Sequence, residues 1–312
     1  MRIVLCLLTL NAAGQLPAFL QALGEQSCDL ERFLVIDSSS DDATVELLEA
    51  AGCELHRIAR DQFNHGGTRR LASELCAEAD LVVFMTQDAH LADRHALQRL
   101  VDSFGDPRVG AAYGRQLPRP TANAIEAHAR LFNYPEHSRV KSQSDIPQLH
   151  IKAAFISNSF AAYRLQSLRE VGGFPESCLV SEDTLVAAKM LQAGWNIAYC
   201  AEACVYHSHH HTFTQEFQRY FDIGAFHHRQ PWILEQFGAV EGEGGRFVRS
   251  ELKYLWQHAP GLIPSAALRT LIKYLGFRAG LLEMHLPLQV KRAFSMQSAF
   301  WGQESLRHPW VD

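Results

Sequence analysis

Ser181-Glu182-Asp183-Thr184 places two adjacent carboxylates at the start of an apolar run with helical spacing. Ten residues before Glu182 lies Gly172-Gly173-Phe174, and downstream comes the cluster His207-Ser208-His209-His210-His211. A carboxylate pair at a helix mouth, facing a histidine-rich strand end, suits proton transfer beside a metal. The helix dipole alone favours acids in a first turn, and Ser181 reads as their cap. Taken singly, the pair is therefore also an ordinary helix start. On an extended chain His207, His209 and His211 share a face. Imidazole nitrogen suits divalent transition metals, but no cysteine pair supports a structural zinc site. His207 is the expected functional histidine, with the others supporting it or bland.

The remaining chemistry needs a nucleotide site. Asp37 ends an apolar strand and precedes three serines, so it reads either as a turn acid or as an acceptor for a base or ribose. Thr9 and Asn11 end the neighbouring strand. His65-Gly66-Gly67-Thr68-Arg69-Arg70 opens a helix whose glycines would admit a ligand and whose N-terminus and arginines would attract phosphate. It is not a P-loop, because no Gly-Lys-Ser/Thr follows. Gln87-Asp88-Ala89 ends a further apolar strand, where a carboxylate can hold Mg²⁺ or Mn²⁺ together with nucleotide phosphates.

Alternating elements must carry these groups. Apolar runs at Ile3–Leu8, Phe33–Ile36 and Leu81–Met85 read as strands, as does Glu54–Ile58, and the segments between them have helical spacing. Asp41 and Asp42 read as caps of the helix through Val45, Leu47 and Leu48. The pattern predicts a mostly parallel sheet covered on both faces, with ligands beyond the carboxyl ends of its strands. Further on, Val109–Tyr113, Ala153–Ile156, Phe160–Tyr163, Ile197–Cys200 and Ala203–Tyr206 read as strands. Ala122–Phe132 and Leu185–Leu191 read as helices, and Pro135 to Pro147 as a surface loop. From Phe213 onward the pattern is helical, with a break expected near Pro260 and Pro264.

The 312 residues, 47% hydrophobic and 20% charged, describe a globular chain able to bury a core. A net charge of −5 gives no case for nucleic-acid binding. From Arg246 onward the balance is +5, with nine Lys/Arg against four acids. That tail reads as a helical subdomain, or as a docking element for an anionic membrane or a lipid-linked acceptor. The seven cysteines show no C-x-x-C pair and read as reduced thiols of a cytoplasmic protein. Met1–Leu8 reads as a buried strand rather than a signal peptide, and no stretch reaches the roughly 18 apolar residues of a membrane span.

In order along the chain stand Thr9-Leu10-Asn11, Ile36-Asp37-Ser38-Ser39-Ser40-Asp41-Asp42, Phe63-Asn64-His65-Gly66-Gly67-Thr68-Arg69 and Thr86-Gln87-Asp88-Ala89. Then come Tyr113-Gly114-Arg115-Gln116-Leu117-Pro118, Phe132-Asn133-Tyr134-Pro135-Glu136, Gly172-Gly173-Phe174, Glu182-Asp183, Tyr206-His207-Ser208-His209 and Arg219-Tyr220-Phe221-Asp222. This ordered set resembles the family-2 glycosyltransferases, within them the bacterial rhamnosyltransferase-like group. The resemblance implies an α/β GT-A fold over residues 1–212, with a nucleotide-sugar half (1–90) and an acceptor half (91–212). A helical C-terminal region (213–312) would follow. It also implies inverting transfer from a nucleotide sugar, dTDP-L-rhamnose, to a saccharide or lipid-linked acceptor in cell-surface polysaccharide synthesis.

In that frame Thr9, Asn11, Asp37, His65, Arg69, Gln87 and Asp88 would line the nucleotide-sugar site. Asp88 and His207 would hold Mg²⁺ or Mn²⁺. Asp183 would be the general base with Glu182 beside it, and Asn158, Gly173 and Phe174 would meet the acceptor. The chain departs from the family pattern in having a single aspartate, Asp88, between Gln87 and Ala89. A metal-dependent hydrolase or nucleotidyltransferase using the histidines, and a non-catalytic nucleotide-sugar-binding protein, are the competing readings.

Overall fold

The computed structural model describes residues 1–239 and 242–304. The end of the expected C-terminal region, with Arg307 and Asp312, lies outside the described residues.

Among the described residues there are nine strands, β1 (Ile3–Thr9), β2 (Arg32–Asp37), β3 (Glu54–Arg57), β4 (Leu81–Thr86), β5 (His90–Leu91), β6 (Val109–Leu117), β7 (Arg139–Lys141), β8 (Phe160–Arg164) and β9 (Asn196–Tyr206). They form one sheet in the order β3-β2-β1-β4-β8-β6-β9-β5, with β7 pairing β9. β1 pairs in parallel with β2 and β4, and β2 with β3, as the apolar runs predict. β8 runs antiparallel between β4 and β6, so the sheet is mixed.

Alternation along β1 shows why both faces are covered. Val4, Cys6 and Leu8 enter a core that includes Ala72, Cys76, Val186 and Met190. Ile3, Leu5 and Leu7 enter a second core with Leu16, Phe19, Leu97 and Leu100. Side chains two residues apart share a face, so a strand apolar throughout must be buried twice.

Register gathers the strand ends. Thr9 lies opposite Asp37, and Leu8 opposite Thr86. Met85 lies opposite Phe160, which brings the loop before β8 to the same edge. β6 and β9 run parallel with Leu117 opposite Tyr206, and β5 places His90 opposite that same Tyr206. Asp88 and His207 therefore meet, although they are 119 positions apart in the sequence.

Three expectations differ. Ile197–Cys200 and Ala203–Tyr206 belong to the single strand β9, with an irregularity opposite Gly114 and Arg115. Ala153–Ile156 is not a strand, because His150–Ala154 forms a tight helical turn whose buried alanines pack beneath the site helix. The segment from Pro135 to Pro147 contributes β7, because Val140 and Lys141 complete the β9 ladder.

The C-terminal region is helical, with helices Phe213–Arg229, Pro231–Phe237, Glu243–His258, Ile263–Leu281, Leu288–Phe294 and Ser298–Glu304. The break falls at Pro260, where a short turn precedes the helix from Ile263. Helices Phe213–Arg229 and Ile263–Leu281 touch backbone to backbone. A Cβ at Gly280 would lie 2.1 Å from the Phe221 carbonyl oxygen. Glu283 joins Arg229 and Lys291 at 2.7 and 2.5 Å, and buried Trp301 packs on Phe221.

Candidate active site

Asp37 is fully buried at the edge formed by β1 and β2. Its carboxylate accepts from Thr9 Oγ1 at 3.0 Å, Ser40 N at 2.9 Å and Ser40 Oγ at 2.5 Å. Asn11 and Ser39 adopt the left-handed conformation, with φ of 50° and 58°. Asn11 binds the same loop, donating from its backbone to Ser40 Oγ and accepting from Asp41 N. Gln87 joins the ends of β1 and β4, accepting from Leu10 N at 2.9 Å and donating to Leu10 O at 3.1 Å. Thr9, Asp37 and Gln87 thus tie the ends of β1, β2 and β4 together, and exposed Asn11 stands beside them. Asp42 accepts from Ala13 N and from Thr44, whose residue begins the helix Thr44–Ala50.

The helix His65–Leu75 does not present its glycines to a ligand. Asn64 caps it by accepting from Gly67 N at 2.6 Å. A Cβ on Gly66 would lie 2.4 Å from the Pro175 carbonyl oxygen, and one on Gly67 2.6 Å from that of Glu176. The glycines therefore let the 175–176 loop close over the helix start. Arg69, expected to face a diphosphate, is buried and turned the other way. Its Nη1 lies 2.9 Å from Glu182 Oε1 and donates to His65 O. Phe174, expected at the acceptor, is fully buried edge-on to Phe84 and Tyr163 at 5.5 and 5.2 Å. Gly173 makes the left-handed turn that delivers it there. Only glycine adopts that conformation at little cost.

Ser181 is not a side-chain cap. It sits at φ 62° and makes no cap hydrogen bond, so the helix Glu182–Gln192 starts from a strained residue. Glu182 is buried among Arg69, His65 and Asn158, whose Nδ2 donates to Oε1 at 2.9 Å. Asn158 accepts from Tyr163 OH at 2.7 Å, so its side chain is used by the protein rather than by an acceptor. Its backbone N–H donates to Asp183 Oδ2 at 3.2 Å, and Thr184 N to Oδ1 at 2.7 Å. Burial alone would raise both carboxyl pKa values. Arg69, His65 and Asn158 more than offset this for Glu182, which is held below its usual range. For Asp183, burial and then the charge of Glu182 push the value up to about 7. Two adjacent acids are thereby driven apart, one fixed as an ion and the other poised to exchange a proton near neutrality.

Asp88 faces His207 and His209. Its Oδ2 lies 3.2 Å from His207 Nε2 and 3.6 Å from His209 Nδ1. Burial pushes the Asp88 carboxyl up, but His207, Thr86 and His209 hold it well below the usual carboxylate range. Burial lowers the pKa of His207, and it takes His209, next to His207, down to about 3. The His209 ring is neutral at pH 7, the form that offers a lone pair. The tautomer of His207 follows from its neighbours. Gln116 Oε1 accepts from Arg130 Nη1 at 2.5 Å, and the other amide atom donates to Ser157 Oγ at 2.9 Å. His207 Nδ1, 2.8 Å from that Oε1, must then carry the proton. Its Nε2 faces an ionised carboxylate 3.2 Å away. A proton shared between the two, or a metal ion, satisfies that contact. Asp88, His207 and His209 each offer one donor atom, and the three lie within 4.8 Å of one another.

The histidine cluster thus divides. His210 pairs with Glu126 at 2.6 Å, and His211 stacks on the His209 ring at 5.2 Å. His209 joins Asp88 and His207 in that group of three, and its alternation with His207 is the signal for it in the sequence. Gln116, Arg130 and Arg119, which donates to the Asp88 carbonyl, carried no such signal. The two halves of the site are joined by adjacent residues. Ser157 accepts from the amide that orients His207, and Asn158 binds both Glu182 and Asp183.

The sequence profile described as Glycosyl transferase family 2 matches residues 5–172. The chain belongs to the family-2 glycosyltransferases. Within the family it is 48% identical over 303 residues to the O-antigen chain rhamnosyltransferase RfbN of Salmonella typhimurium, covering 97% of this chain and 96% of that one. It is 47% identical over 281 residues to the O-antigen chain rhamnosyltransferase WbaN of Salmonella anatum, covering 90% and 89%. Among solved structures it resembles the mannosyltransferase PcManGT from Pyrobaculum calidifontis in complex with GDP-Man and Mn²⁺. There the TM-score is 0.57 at 17% identity, covering 99% of this chain and 87% of that one. The fold is the expected GT-A class of this glycosyltransferase family.

Proposed function

We propose that the chain transfers L-rhamnose, with inversion, from dTDP-L-rhamnose to a saccharide acceptor of cell-surface polysaccharide synthesis. The observation that carries this is the divided carboxylate pair, tied through Asn158 and Ser157 to the Asp88–His207–His209 cluster. The sugar rests on the two O-antigen rhamnosyltransferases, which match nearly the whole chain.

In this reading the nucleotide lies at the strand ends tied together by Thr9, Asp37 and Gln87, with Asn11 beside them. Asp183 takes the proton of the acceptor hydroxyl. The new acceptor O–C1 bond forms as the bond from C1 to the donor phosphate oxygen breaks, and the electron pair leaves with the nucleoside diphosphate. Glu182 does not take the proton. Its charge keeps Asp183 basic, while Arg69 and His65 hold Glu182 itself ionised. A divalent cation held by Asp88, His207 and His209 would supply charge stabilisation for the departing diphosphate. Two imidazole donors favour Mn²⁺ over Mg²⁺. Arg69 and His65 serve as positioning groups beneath the base rather than as nucleotide contacts. The reading keeps the division at residue 212 between catalytic and helical regions.

A thermal-shift panel tests the donor directly. dTDP-rhamnose with Mn²⁺ raises the melting temperature more than UDP-, GDP- or ADP-sugars do. No stabilisation by any nucleotide sugar would contradict the reading.

A further inference from the structure

The helix Ile263–Leu281 is turned inside out. An amphipathic helix on a globular protein normally buries its apolar stripe and shows charge to water. Here Leu268, Leu271, Tyr274 and Leu275, spaced to share one face, are all exposed, Leu271 by 52%. Leu282 and Met284 continue the stripe, Met284 being 70% exposed. The neighbouring helix Glu243–His258 adds Leu252 and Trp256, four residues apart, with Trp256 74% exposed. The charged face points inward. Arg269 and Lys273 reach Glu216 at 2.8 and 3.1 Å, and Gly276 and Gly280 fit against the helix Phe213–Arg229. A run of large exposed apolar groups of this kind marks a contact surface.

Charge decides what the surface meets. Arg249 lies on the face of Leu252 and Trp256, Lys253 is beside them, and Arg278 falls in line with Leu271, Tyr274 and Leu275. All three are exposed, as is Arg292. Among the described residues from 243 to 302, no acid is exposed. Glu251 and Glu283 are buried, and Glu243 is engaged by Lys152 and Arg246. A second copy of the chain would bring this cationic, acid-free face against its own likeness, which like-charge repulsion opposes. No described helix is long and apolar enough to cross a membrane. We infer that this face lies on an anionic phospholipid surface, with the leucines, Tyr274 and Trp256 entering the acyl boundary and Arg249, Lys253 and Arg278 meeting the headgroups.

The face is one helix away from the candidate active site. Arg269, on the inner side of the same helix, donates to His211 O at 2.7 Å. The chain that carries His207 and His209 is thereby fastened to the docking helix. The inference does not depend on which sugar is transferred.

Co-sedimentation of the full chain with phosphatidylcholine vesicles, with and without phosphatidylglycerol, tests it. The chain is expected to sediment with the anionic vesicles, to be released by salt, and to ignore the neutral ones. Leu271→Asp with Leu275→Asp, and separately Lys253→Glu with Arg278→Glu, are each expected to weaken partitioning by about tenfold or more. Both variants should keep the melting temperature and its shift on adding donor and Mn²⁺, which separates this surface from the site. Failure of the wild type to bind anionic vesicles, or equal binding to both vesicle types, would overturn the inference. So would a stable dimer in sedimentation equilibrium that Leu271→Asp dissociates.

Discussion

The guanidinium of Arg69 lies 2.9 Å from the carboxylate of Glu182, and both side chains are buried. Neither group reaches solvent, so each is the other's reason for being tolerated there. Removing one partner of a buried pair strands the other, at a cost of about 3–5 kcal/mol. Arg69→Met is therefore expected to lose stability of that order in urea denaturation. Arg69→Met with Glu182→Met should recover most of it without recovering transfer. A double variant no more stable than the single one would contradict the pairing.

As the proposed base, Asp183 is expected to set the pH dependence of transfer. A base with its pKa near 7 is protonated below that value, so transfer rises as pH increases through about 7 and then levels off. Glu182→Gln removes the neighbouring charge that, after burial, raises Asp183 most. The rising limb should then move to lower pH. A limb that stays in place would separate the two acids. The same shift affects folding. A raised carboxyl contributes stability that is fully present below its unfolded pKa and lost as pH rises through about 7. Asp183→Asn should therefore raise the melting temperature more at pH 8 than at pH 5.

In the proposed reading Gln116 would act on the metal through His207, whose Nδ1 lies 2.8 Å from its Oε1. Loss of a group that orients a ligating imidazole typically costs about 10–100-fold in affinity. Gln116→Leu is expected to weaken Mn²⁺ binding in calorimetry by that factor, and His209→Ala and Asp88→Asn by more. His211→Ala, whose ring only stacks on His209, should leave binding nearly unchanged. Equal losses for His209 and His211 would refute the assignment of donors.

Gly280 fixes the crossing of the two long C-terminal helices. A methyl group there would meet the Phe221 carbonyl oxygen at 2.1 Å, which backbone alone must relieve. Overpacking of this kind costs about 1–3 kcal/mol. Gly280→Ala should show that loss in chemical denaturation, and an unchanged midpoint would mean that the helices separate freely.

Much of this was legible in the sequence, for identifiable reasons. Strands β1, β2 and β4 are apolar throughout or nearly so, and a parallel sheet puts their polar ends together by register, so Thr9, Asp37 and Asp88 could be grouped in advance. Asp183 and His207 stand out in the sequence by their places at a helix start and a strand end, and the fold brings them to Asn158 and Asp88. What stayed hidden depended on direction rather than position. Arg69 begins a glycine-rich helix whether it faces a phosphate or Glu182, and only packing by Pro175 and Glu176 decides. Phe174 follows two glycines in either role, yet its ring fills the core against Phe84 and Tyr163. His209 needed the fold to bring Asp88 to it. Ser181 had the composition of a cap, but its left-handed backbone turns its side chain away from that use.

The claim most exposed to test is that Asp183 removes a proton from an acceptor during sugar transfer. Wild type and Asp183→Asn should be compared for rhamnosyl transfer from dTDP-rhamnose and, in parallel, for stabilisation by the same donor with Mn²⁺. Asp183→Asn is expected to lose about 10²–10⁴-fold in transfer while its donor-induced melting shift is retained. Transfer at the wild-type rate by Asp183→Asn, with donor binding intact, would contradict it.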